Sequence, residues 1–202
     1  MVNYADQPNL ESLILCFLRE EMDIEEVNLG DIHRSFAIFN SAVAIVHAPS
    51  DPSGIGGMRR EFIRAMHSWR HGASHFDCML YKGNTANPRG MHDLQVVQAH
   101  LFFWFGYKNQ LYSCALVHWF KTLGDEPDDE TGMWKIEPIF SADGKPLATV
   151  VAVRDLVRAV HILPIFDSSF TEKNLTFNQT LDKFKLFYIN KFIDNSSFWL
   201  VS

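Results

Sequence analysis

Over residues 9–22 the apolar positions Leu10, Leu13, Ile14, Phe17 and Leu18 recur at helical spacing, while Glu11 and Glu20 fall elsewhere on the wheel. The pattern predicts an amphipathic helix with Asn9 as its cap. An acidic linker follows, carrying Glu20, Glu21, Asp23, Glu25, Glu26 and Asp31. From 34 to 47 the period changes, and Phe36, Ile38, Val43, Ile45 and Val46 favour strand, with a turn or bulge at Asn40-Ser41. The run APSDPSGIGG (48–57) breaks regular structure. Residues 58–69 are basic and partly amphipathic, 76–81 read as a short strand, and 84–90 form a loop containing Pro88 and Gly90.

The strongest local signal is a hairpin. Residues 95–107 and 111–122 are aromatic and β-branched runs separated by Lys108-Asn109-Gln110. An acidic loop, GDEPDDETG, leads to a third strand at 133–137, a turn at 141–144 and a fourth strand at 147–153. A short helical turn at 155–158 precedes a fifth strand at 159–166. Five short strands with a 3₁₀-like turn before the last predict a mainly β (α+β) fold: a small, bent SH3-like barrel with helical segments flanking it at both ends. The aromatic tail at 180–192 reads as a helix or docking segment. Four regions are expected: 1–33, N-terminal helix and acidic linker; 34–90, a strand pair plus a Gly/Arg-rich segment packing on the barrel; 91–166, the barrel core; and 167–202, the aromatic tail.

Composition narrows the classes. A 202-residue chain with 47% apolar and 21% charged residues is globular rather than disordered. Lys plus Arg is 18 and Asp plus Glu is 24, so the net charge is 18 − 24 = −6. That argues against coating nucleic acid by bulk charge but leaves room for a local basic patch. Cys16, Cys78 and Cys114 are too scattered for a disulfide framework, which favours a reducing compartment. The N-terminus lacks the basic n-region of a signal peptide, and no apolar run is long enough to span a bilayer. The expectation is a protein of the nucleus or cytoplasm, with no membrane contact.

Candidate chemistry is sparse. His67, His71, His75 and Cys78 have a spacing that zinc could use if they lay on one helix, but Gly72 and Ser74 oppose a continuous helix, and no metal or cofactor is expected. Gly54, Gly56 and Gly57 ahead of Arg59 and Arg60 could present amides to a phosphate at a helix start. With no GK[ST] and no GxGxxG, a tight turn is the better reading. Arg59, Arg60, Arg64 and Arg70 surround a single acid, Glu61, and are the candidate DNA-backbone contacts. Asp125, Glu126, Asp128, Asp129 and Glu130 could receive a basic peptide, with Trp119 and Trp134, and also Trp104, as an aromatic wall. Pro127 interrupts calcium-loop spacing there. GxSxG, HExxH and a protease-like Cys-His context are absent, so no enzyme is expected.

The segments APSDPSGIGGMRREFIR, SWR, FDC, Gly90-Met91, CALVHWFKTLGDEPDDETGMWKIEP and AVHILPIF, in that order, resemble the C-terminal region of DNA-transposon open reading frames of mushroom-forming fungi, the Plavaka and related KDZ-type elements. The likeness runs from about Phe36 to Phe192, and its most specific part is 114–138. Asp167 stands after HILPIF where the pattern has a glycine turn. In such reading frames the catalytic DDE core lies upstream. The resemblance therefore implies a non-catalytic accessory or interaction module that contacts DNA, a chromatin protein or the transposase core. The alternatives are a peptide-binding barrel recognising a basic segment, or an inert transposon remnant. The barrel expected from the strands is similar to the bromo-adjacent-homology (BAH) type of chromatin proteins, an analogy of fold alone.

Overall fold

A computed structural model describes residues 9–23, 26–27, 30, 32–48, 54–68, 72–166 and 180–201. Its helices are α1 (Leu10–Met22), α2 (Thr180–Lys183) and α3 (Asn195–Leu200). Its strands are β1 (Ile32–Phe39), β2 (Ser41–His47), β3 (Met58–Met66), β4 (His75–Phe76), β5 (Cys78–Tyr81), β6 (Gln95–Tyr107), β7 (Gln110–Leu123), β8 (Lys135–Pro138), β9 (Ala148–Ala152), β10 (Leu156–Val160), β11 (Ile162–Pro164) and β12 (Phe187–Ile189).

The expected hairpin is the spine. Tyr107 pairs with Gln110, so the turn is only Lys108-Asn109, with φ of 46° and 62°. Two residues at positive φ make a turn of type I′, whose twist matches that of the flanking strands. Asn tolerates this conformation well. Both arms outrun any single neighbour. The start of β6 pairs with β5 and its end with β1. On the other side, Cys114–His118 of β7 pair with β9, and Phe120–Leu123 with β8. The sheet path runs β10-β5-β6-β7-β8-β12-β11. Because only His161 separates β10 from β11, the path returns to its start and the sheet is a nearly closed antiparallel barrel. Near-closure leaves fewer unpaired edges than an open sheet would expose.

Several local expectations shift. Within 180–192 the α-helix covers Thr180–Lys183, and Phe187–Ile189 then enters the barrel as β12, between β8 and β11. Alternation explains this, since Phe187 and Ile189 are fully buried while Tyr188 is not. The 3₁₀ turn falls at Val153–Asp155, slightly earlier than expected. His161, between β10 and β11, is exposed, and its carbonyl accepts the Asn190 N–H at 2.8 Å.

Alternation along the spine also partitions the core. Leu101, Phe103, Phe105, Cys114 and Leu116 pack with Leu10, Ile14, Phe17 and Leu18 of α1. Val96 and Phe120 join Leu80, Trp134, Ile136, Phe187 and Ile189. Val97, Ala99, Ala115 and Val117 lie under Ile63 and Ala65 of β3, with Ala42 and Ala44 of β2 packed alongside. The β2–β3 hairpin, extended by β4, is thus a separate three-stranded sheet laid on the barrel.

Truncating Phe187 tests the role of the C-terminal strand. Phe187→Ala is expected to cost about 3–5 kcal/mol in urea denaturation, the range for large-to-small core changes. Leu111→Ala, at an exposed position beside the turn, should leave the midpoint nearly unchanged.

Candidate functional site

The segment Met58–Met66 is a strand, so the glycine loop before it does not lead into a helix and offers no helix N-terminus to a phosphate. Strand geometry sends alternate side chains to opposite faces, and it divides the candidate arginines. Arg59, with Glu61, Ile63 and Ala65, takes the inner side; Met58, Arg60, Phe62 and Arg64 take the outer. Arg70 lies outside the described residues.

Register completes the outer face. His47 pairs with Met58, Ile45 with Arg60, Val43 with Phe62, and Ser41 with Arg64. Phe62 is 61% exposed and Ile45 63%, with Val43 and Met58 also open to solvent. Among the described residues, no carboxylate is placed in an ion pair with Arg60. The Arg64 guanidinium stands 3.9 Å from Asp77, whose carboxylate also accepts the Arg64 backbone N–H at 2.7 Å and meets His75 Nε2 at 2.8 Å.

The inner face carries a buried charge network. Arg158 of β10 donates from Nη2 to Glu61 Oε1 at 2.5 Å and to Asp194 Oδ2 at 2.7 Å, and from Nη1 to Asp194 Oδ1 at 3.2 Å. Arg59 approaches Asp194 at 3.9 Å. Asp194 also caps α3, accepting the Ser197 N–H at 2.6 Å. Two arginines therefore balance two carboxylates and join β3, β10 and the C-terminal helix. Glu61 Oε2 and Arg158 Nε are buried without a hydrogen-bond partner. A groove of about 620 Å³ lies beside the network, walled by Ile45 and His47, by Arg158, and by Asn195, Ser196 and Trp199. The Arg158 charge is met by two carboxylates, Glu61 and Asp194.

The acidic loop is organised from within. Asp128 accepts from the Thr131 N–H (3.1 Å) and hydroxyl (2.9 Å) and pairs with Lys135. The hydrogen bonds from Lys135 and Thr131 bring its carboxyl down to about 2. Asp125, Glu126, Asp129 and Glu130 remain exposed around it. Trp134 is only 4% exposed, in the barrel core, and cannot wall a peptide groove. Trp119 is half-buried against Tyr81 and donates to Thr149 Oγ1 at 2.7 Å; Trp104 is also half-buried.

The histidines form a feature that spacing did not show. His100 is the extra residue of a bulge between Ala99 and Leu101. Its ring lies 3.6 Å from that of His118 and 4.4 Å from Phe76, and its Nε2 meets Gln98 Oε1 at 2.9 Å. Burial lowers both histidines, His100 to about 3 with help from the neighbouring His118 and His67 charges, and His118 to about 4. Both are therefore neutral in the fold at pH 7. Of the residues in the metal-like spacing, His75 is tied to Asp77, His71 lies outside the described residues, and burial pushes the Cys78 thiol up to about 12. Among the described residues, no three His, Cys, Asp or Glu side chains are placed to hold a metal ion.

Comparison with protein-family models, with curated proteins and with solved structures gave no match to this chain. No described helix is long and apolar enough to cross a membrane.

Two outcomes follow from this geometry. Arg158→Ala strands Glu61 as a buried charge and is expected to cost about 3–5 kcal/mol by chemical denaturation. The Glu61→Gln/Arg158→Met pair should recover much of that loss. For the histidines, the folded values lie below the unfolded value near 6.5. The stability they support is full above that pH and is lost as pH falls toward 4 and 3. The melting temperature should therefore drop between pH 7 and 5, and His100→Phe/His118→Phe should flatten that slope.

Proposed function

We propose that the chain is a non-catalytic interaction module whose β2–β3 outer face contacts the phosphate backbone of a nucleic acid. The observation that carries this reading is the placement of Arg60 and Arg64 on one exposed face of a strand, on either side of Phe62. Arginine is suited to phosphate because its planar fork donates two hydrogen bonds at once. The net charge of −6 does not oppose a local contact: salt screens charges beyond about 8–10 Å. Of the four arginines expected at such an interface, Arg60 and Arg64 are assigned to it, and Arg59 to the internal network. An accessory role in a transposon-encoded protein, beside DNA, chromatin or the transposase core, is the setting that the resemblance to fungal transposon reading frames supplies.

A second reading keeps the acidic loop as the contact for a basic segment. It is favoured by the four carboxylates left exposed around the Asp128 turn. It does not use Trp134, and Trp119 is committed to Thr149 and Tyr81.

Fluorescence anisotropy with labelled DNA across a salt series separates the two. Arg60→Ala/Arg64→Ala is expected to weaken binding for all sequences and to reduce the log-salt slope by about 2, one per phosphate contact. Lys145→Ala, at an exposed turn, should leave the slope as it is. An unchanged slope in the arginine variant would reject the assignment. Binding of a histone-tail peptide in place of DNA, lost on neutralising Asp125, Glu126, Asp129 and Glu130, would establish the second reading.

A further inference from the structure

We propose that the nucleic acid recognised by this face is single-stranded and that Phe62 is the platform on which one base stacks; the proposal rests on the nucleic-acid reading above. Phe62 is a large aromatic held 61% exposed in mid-strand, opposite Val43, which is also half exposed. Aromatics normally contribute to stability by burial, and Phe62 makes little use of that. Its ring has one strong use at such a position, an unpaired π-face for a planar partner. Arg60 and Arg64 stand two residues away on either side, about 6.6 Å along the strand, and their side chains lie on the same face as the ring. A base on Phe62 would have one flanking phosphate within reach of Arg60 and the other near Arg64, whose guanidinium also stands 3.9 Å from the Asp77 carboxylate.

The chemistry distinguishes strand from duplex. In a duplex the bases are stacked on each other and paired, so only their edges are presented in the grooves. A single strand can turn a base outward onto an aromatic ring while its backbone follows a basic track. Val43 and Ile45, cross-strand from Phe62 and Arg60, give the platform an apolar flank for the sugar and base edge. Such contacts read no particular sequence, because every base has a π-face.

The test uses the full chain with a labelled 20-nucleotide oligothymidylate and a labelled 20-base-pair duplex at equal salt. The expected result is tighter binding of the single strand. Phe62→Ala should weaken it about tenfold while sparing the duplex, and Phe62→Trp should retain it. A 2-aminopurine placed in the oligonucleotide should be quenched on binding to the native chain and not to Phe62→Ala. Phe62 is exposed, so the melting temperature of Phe62→Ala should match the native chain and confirm that it folds. Equal loss on both ligands, no loss on either, or preference for the duplex would each overturn the stacking proposal. In those cases the salt slope of Arg60→Ala/Arg64→Ala would still decide the phosphate reading independently. Failure of both ligands to bind at low salt would sink both.

Discussion

The register of one hairpin governs the molecule. The Lys108-Asn109 turn fixes Tyr107 opposite Gln110, and every later pair along β6 and β7 inherits that choice until the bulge at His100. Side chains alternate with a period of two, so a slip by one residue would turn Phe103, Phe105 and Leu116 away from α1 and put Phe102 and Val117 in their place. Because the two arms are 13 and 14 residues long, each has room for a different neighbour on each half. That division gives the sheet its two ends. One half is served by β1 and β9 with α1 against it, and the other by β5 and β8, which carry the barrel path onward to β10 and β12.

Closure of that path comes from distant parts of the chain. β12 supplies the strand between β8 and β11, and the single-residue break at His161 lets one segment serve both ends of the sheet. The Arg158 network then attaches what lies outside the barrel. Arg158 stands on β10, Glu61 on the overlying hairpin and Asp194 at the start of α3. Buried ion pairs contribute little net stability against a well-packed apolar alternative, because desolvation offsets the attraction. Their value here is geometric: they favour one placement of β3, with Arg59 turned toward Asp194 and Arg60 turned outward. The composition of the outer face is thus a consequence of how the inner face is held.

Much of the barrel was legible in the sequence because its signals are local. The 9–22 helix, the arms of the hairpin and its polar turn all follow from periodicity over a few residues. Other features were not. MRREFIRAM consists mostly of residues that favour helix, and only pairing with the β-branched SAVAIVH strand makes it extended. Read as a strand, the same nine residues would have separated Arg59 from Arg60 and Arg64 and exposed Phe62 as their companion. β12 was hidden for a similar reason, since three residues carry too little period to separate strand from helix. The contacts of Arg158 span 97 positions to Glu61 and 36 to Asp194, and the His100–His118 stack depends on a bulge. No local pattern encodes pairings of that separation.

The division of the arginines also resolves the conflict between a basic segment and an acidic chain. Clustered along the sequence, four arginines near one glutamate look like a single patch. In the fold, Arg59 is matched by Asp194, and Glu61 is matched by Arg158 drawn from another strand. On the outer face Arg60 and Arg64 stand apart from this network, with Arg64 beside Asp77 at 3.9 Å. The acidic residues are not spread evenly either: part of the excess is concentrated on the 125–130 loop, where Asp128 is consumed in shaping the turn. At long range a net −6 slows the approach of a polyanion, whereas charges separated by more than a Debye length are largely screened. If the outer face meets a nucleic acid as proposed, the contact rests on short range rather than on attraction from afar, and the exposed Phe62 between Arg60 and Arg64 then weighs more than the overall charge.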